Sequence, residues 1–130
     1  KMVKILLLRP EESSKKLIEI LKSSDYEVIN IPIIKPISII KLDHLKNILK
    51  NIFDYIIFTS QIGVRILWKY LTENNLTDSF LELCRSAKII AIGPQTKEEL
   101  TRIGLNIEIM PREFSSRGII ERIKNYPLRD

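Results

Sequence analysis

This chain is poor in the residues on which much protein chemistry depends. It holds one cysteine, Cys84, and one histidine, His44, among 130 residues. An internal disulfide is therefore excluded, and so are a Cys/His zinc site and a Cys-x-x-Cys redox centre; no metal is expected. A lone cysteine suits a reducing compartment, so a cytoplasmic location is expected. The four glycines, at 63, 93, 104 and 118, spell neither G-x-G-x-x-G nor G-x-x-x-x-G-K-[ST], so the familiar phosphate-cradling loops are missing. Apolar runs are short and interrupted by Lys or Pro, far below the roughly 20 residues of a membrane span. The opening apolar stretch is broken by Lys4 and lacks a small-residue cleavage site, so it does not read as a signal peptide.

Charge is nearly balanced, with 21 Lys+Arg against 16 Asp+Glu and a net +5. The excess admits an anionic partner, but no run of four bases occurs, and nucleic acid is not expected. What the chain has in abundance is isoleucine: 25 residues, against two alanines. With 45% hydrophobic and 28% charged residues, it is globular in composition. Its β-branched bias favours strands.

Apolar runs alternate with amphipathic stretches. Strands are expected at 3–8, 27–31, 55–59, 88–92 and 106–110. Pro10 opens a helix that Ser23, Ser24 and Asp25 break. Pro32 and Pro36 hold residues 31–39 extended, as a crossing segment. Further helices are expected over 42–52, with Leu45, Ile48 and Ile52 inward, and from Ile62 to Leu71, with Ile62, Ile66 and Leu67 on one side. Others cover 77–85 and the stretch from Gly93 to a left-handed cap at Gly104, and a last one begins near Ser115. This alternation implies an α/β fold with a parallel, doubly wound, flavodoxin-like sheet.

In such sheets ligands bind beyond the carboxyl ends of the strands, where helix amino termini present free N–H groups. Four junctions qualify: Arg9-Pro10-Glu11-Glu12, Thr59-Ser60-Gln61, Gly93-Pro94-Gln95-Thr96 and Phe114-Ser115-Ser116. Hydroxyls and backbone donors there suit carboxylate or phosphate oxygens, although Ser60 and Ser115 could simply cap their helices. A phosphorylated receiver-type domain would need an Asp where Thr59 stands. A hydrolase triad lacks a base, since His44 falls on a helix remote from the junctions. Glu98 and Glu99 are expected to face solvent, and Trp68 and Tyr70 to pack.

Taken in order, these junctions resemble uroporphyrinogen-III synthase. The resemblance runs through Leu6 to Glu11, Phe58-Thr59-Ser60 with Gly63-Val64, Ala91 to Thr96, Ile103-Gly104-Leu105 and Pro111 to Ile119. It implies two α/β domains in the longer protein, with residues 1–35 opening the first, 36–126 forming the second and 127–130 starting a return linker. On that reading the chain is a front fragment, inactive alone, whose missing half completes the first domain.

The resemblance further implies a lyase of tetrapyrrole assembly that needs no cofactor. Linear hydroxymethylbilane loses its terminal hydroxyl and closes with inversion of ring D to uroporphyrinogen III. The task is chiefly to hold one curled conformation, with help from a general acid. Carried over by position, Arg9, Thr59, Ser60, Gly93, Thr96, Ser115 and Ser116 would bind the substrate's acetate and propionate arms. No residue is assigned as proton donor, so the catalytic residues are unknown. The full-length protein is expected to be a monomer free of membrane. The alternative is a non-catalytic anion-binding α/β module for a sugar acid or nucleotide.

Overall fold

A computed structural model of the chain describes residues 2–8, 11–31, 33–34, 37–38 and 41–125. Arg9, placed above among the binding residues, lies outside them.

Strand β1 (Val3–Leu8) leads to helix α1 (Glu11–Ser23) and strand β2 (Tyr26–Ile31). Two short strands, β3 (Ile33–Ile34) and β4 (Ile37–Ser38), pair antiparallel with each other. Then come α2 (Leu42–Ile48), β5 (Tyr55–Phe58), α3 (Gln61–Glu73), α4 (Thr77–Arg85), β6 (Lys88–Ala91), α5 (Pro94–Arg102) and α6 (Ser116–Asn125). The main sheet has the order β2-β1-β5-β6, and all three of its ladders are parallel.

Alternation along the strands divides the core in two. Leu6 and Leu8 of β1, Ile56 and Phe58 of β5, and Ile89 and Ala91 of β6 face α2, α3, α4 and α5. Ile5, Leu7, Tyr55, Ile57 and Ile90 face α1 and α6, which contribute Leu17, Leu21, Ile119 and Ile123. A sheet covered on both faces explains why these strands read as continuous apolar runs rather than as alternating ones. The doubly wound α/β expectation is met.

Several details differ from the sequence reading. The crossing segment carries the small β3–β4 pair, with Ile33 opposite Ser38 and Ile34 opposite Ile37. Helix α2 ends at Ile48, because the Asn51 side-chain amide donates to the carbonyls of Asn47 and Ile48 at 2.8 and 3.4 Å. The turn leaves Ile52 76% exposed and buries Phe53 in its place. Ile62 also points outward, from the first turn of α3, whose inward face is Val64, Leu67 and Leu71.

The strand expected at 106–110 is reduced to one bridge, between Ile109 and Ile90. Ile109 N–H donates to Ile89 O and Ala91 N–H to Ile109 O. The next donor in a parallel ladder would be residue 111, which is proline and has no N–H.

Helix α5 closes as anticipated. Gly104 has φ of +99°, and the N–H groups of Gly104 and Leu105 return to the carbonyls of Thr101 and Leu100, each at 3.0 Å. This pair of bonds needs a left-handed residue after the cap.

The boundary expected near residue 36 falls between β3 and β4. In this chain the strands on either side of it share one sheet, with Leu8 of β1 in register with Phe58 of β5.

Candidate functional site

The carboxyl ends of β5 and β6 open into a cleft of about 680 Å³. Two strand-to-helix turns build it. The first brings Thr59, Ser60, Gln61 and Ile62 to one wall, and the second brings Ile92, Gly93, Pro94, Gln95 and Thr96 to the other. Phe114, from the loop before α6, completes the rim. None of these lining residues carries a charge. Polarity comes instead from hydroxyls, side-chain amides and the amino ends of α3 and α5.

In both helices the first N–H groups have no carbonyl within the helix to bond. Ser60 caps α3: its hydroxyl oxygen accepts the Gly63 N–H at 3.1 Å. The N–H groups of Gln61 and Ile62, in the first turn of α3, likewise have no carbonyl within the helix to bond. Gly93 caps α5 with extended backbone, and its carbonyl accepts the Lys97 N–H at 3.0 Å. Pro94, at the first position, removes one donor that the helix could not have used. Two helix amino ends side by side give a positive field without a cationic side chain.

The expected binding residues divide as follows. Thr59, Ser60, Gly93 and Thr96 line the one cleft. Thr96 is buried at its inner end. The Thr59 hydroxyl donates to Leu8 O at 3.3 Å, tying the ends of β5 and β1 together. To donate to a ligand it must turn away from that carbonyl. Ser115 does not line the cleft, although it neighbours Phe114. It caps α6, accepting the Gly118 N–H at 3.2 Å and donating to Glu113 Oε2 at 2.6 Å.

Ser116 lies elsewhere. It lines a groove between α6 and α1, beside Lys16, Leu17 and Ile20. Helical geometry is the cause: one residue past the cap, the chain has already turned toward the α1 side of the sheet.

Gly118 fixes the loop that carries Phe114. A Cβ built at Gly118 would sit 1.9 Å from the Glu113 carbonyl oxygen, far inside contact distance, so only glycine permits that approach.

Glu99 was expected to face solvent and does not. It is 4% exposed. It pairs with Arg65 of α3 and, at 3.1 Å, with Arg102 of its own helix. Only Glu98 is exposed. The turn of α5 that buries Leu100 brings Glu99 to the α3 side, where Arg65 compensates its charge.

Sequence reasoning gave no binding role to the apolar part of the cleft, namely Ile62, Ile92 and Phe114, although Phe114 stood within one of the junctions. The available signal was an aromatic residue within the polar stretch Arg112-Glu113-Phe114-Ser115. Among the described residues no three His, Cys, Asp or Glu side chains gather to hold a metal, and no helix is long and apolar enough to cross a membrane.

A family model described as "Uroporphyrinogen-III synthase HemD" matches residues 4–130. The porphyrin biosynthesis protein HemD of Ruminiclostridium josui is 34% identical over 126 residues, covering 92% of this chain and 24% of that protein. A Methanocaldococcus jannaschii protein described as a candidate uroporphyrinogen-III synthase is 30% identical over 123 residues, covering 94% of this chain and 48% of that protein. The chain thus spans about a quarter and about half of the lengths of these relatives.

Among solved structures, a CheY-like receiver domain from Methanospirillum hungatei superimposes with a TM-score of 0.52 at 16% identity, covering 95% of this chain and 92% of that one. CheY4 of Vibrio cholerae gives 0.52 at 15% identity, with 95% and 98% covered. These likenesses are of fold alone.

Proposed function

Because the chain belongs to the uroporphyrinogen-III synthase family, we propose that its cleft holds part of hydroxymethylbilane while the longer protein closes that bilane to uroporphyrinogen III. The observation that carries this reading is the uncharged cleft where two helix amino ends meet. The bilane presents acetate and propionate arms around an apolar chain of pyrroles. N–H groups at a helix end and hydroxyls bind carboxylates without arginine. Thr59, Ser60, Gly93 and Thr96 supply such donors on this wall.

Ser115 acts indirectly, by holding the Phe114 loop through its cap. Arg9 and Ser116 belong to the proposal only as positions carried over from the family. The length found in the relatives but not in this chain would supply the facing wall and the general acid. Binding by donors gathered at two helix ends restrains the bilane's many rotors, and that restraint is the main part of the rate enhancement. No metal or organic cofactor enters this chemistry, because the hydroxyl leaves with proton assistance and the carbon framework keeps its oxidation level.

The proposal extends to domain layout. In the longer protein residues 1–35 would belong to one domain and 36–126 to another, with the return starting at 127–130. That division requires β1 to leave its ladder with β5. A longer protein that retains the Leu8–Phe58 register contradicts the division while leaving the cleft intact.

Cyclisation of hydroxymethylbilane by the full gene product, with separation of isomers, tests the function. The type III isomer should dominate, well above the spontaneous background. Type I product alone contradicts the reading and favours a non-catalytic anion-binding role.

A further inference from the structure

The cleft has a second chemical character that carboxylate binding leaves unexplained. Its outer lip is apolar and open to water. Ile62 is 60% exposed on the α3 side and Phe114 is 56% exposed on the other, and both line the same cleft. Among the described residues only two other large apolar side chains are as openly exposed, Met2 and Ile52, and neither lines this cleft. Exposed apolar residues scattered singly are ordinary, whereas these two line one cleft, from opposite walls.

The Phe114 ring is also held in place. A Cβ built at Gly93 would meet its Cγ at 3.4 Å and its Cβ at 3.6 Å, so the ring lies against the bare backbone of Gly93. The Ser115 cap and the close approach of Gly118 to Glu113 hold the loop that carries it. A fixed ring facing water loses little freedom when a flat partner covers it.

We infer that the Phe114 ring is an apolar platform for the face of one pyrrole ring of the bilane, with Ile62 facing it from the opposite wall, while the carboxylate arms reach inward to the amino ends of α3 and α5. This rests on the functional reading above and adds residues that position the ring itself. A pyrrole is flat and electron-rich. Offset or edge contact with Phe114 suits it, and Ile62 covers the remaining side. Holding a ring plane restricts rotation about the adjacent methylene bridges, which an arm held only at its carboxylate does not achieve.

The inference is tested by steady-state kinetics on the full gene product, with spontaneous cyclisation subtracted. Phe114→Ala should raise KM about tenfold while kcat stays within about twofold, as expected for contact present before and during the reaction. Phe114→Tyr keeps the ring face and should retain the parent KM. Ile62→Ser should raise KM by a smaller factor, and provides a second arm should Phe114→Ala fail to fold. Thermal midpoints of the variants should stay close to the parent, since both side chains are exposed.

An unchanged KM in Phe114→Ala and Ile62→Ser, with the parent still forming the type III isomer, overturns the platform and spares the functional reading. A parent that yields only type I product overturns both.

Discussion

At the scale of single residues, hydroxyl and thiol chemistry is set by contacts that sequence distance conceals. Cys84 lies buried against the α3–α5 side of the sheet, and that burial pushes its thiol up from 9.0 to about 12. The thiol therefore stays protonated near neutral pH and is a poor nucleophile. An aromatic disulfide reagent at pH 8 should label the native protein far more slowly than the unfolded one; labelling of native protein at the rate of a free thiol contradicts this. The sign of the stability effect follows. The folded thiol keeps its proton to higher pH than the unfolded one, so its contribution is intact below about 9 and declines as pH rises toward about 12.

Thr59 and Ser60 were legible as binding candidates from their place after an apolar strand. Their actual hydrogen bonds were not. The partner of Thr59 is a carbonyl 51 positions away, brought near only when β1 enters beside β5. Glu99 was misjudged for a similar reason: its compensation comes from Arg65, 34 positions earlier, and no local pattern announces it.

At the scale of elements, Glu99 joins the two helices whose amino ends form the cleft. Arg65 and Arg102 are each more than half exposed, while Glu99 is buried. The partners are therefore unequal. Glu99→Gln leaves two arginines that can turn to water, and should cost about 1–2 kcal/mol. Replacing Arg65 and Arg102 together by Ala leaves a buried carboxylate without compensation, and should cost about 3–5 kcal/mol. Denaturant unfolding measures both, and the reverse order would contradict the assignment of Glu99 as the buried member.

Element type was largely legible, because strands covered on both faces leave unbroken apolar runs and the helices show one apolar stripe. Ends were less so. Asn51 stops α2 through its side-chain amide, and Pro111 stops the last strand by lacking a donor. Both effects turn on a single hydrogen bond, whereas periodicity averages over many residues.

At the scale of the whole molecule, parallel strands set their carboxyl ends, and hence their helix amino ends, on one edge. That common edge was readable from the alternation of elements. The meeting of two of the junctions in one cleft, with Phe114 at its rim and Ser116 turned away, depends on how α6 approaches the sheet. The loop of residues 111–115 and the tight contact at Gly118 govern that approach.

The central claim is that the β5 and β6 junctions together receive a polycarboxylate tetrapyrrole. Backbone amide chemical shifts of the full gene product, followed by NMR during anaerobic addition of uroporphyrinogen III, test it most directly. The account predicts that Gln61, Gly93, Gln95 and Thr96 move together in one saturable titration. Shifts confined to the α1–α6 groove around Lys16 and Ile120, with those four amides still at saturating ligand, would contradict it.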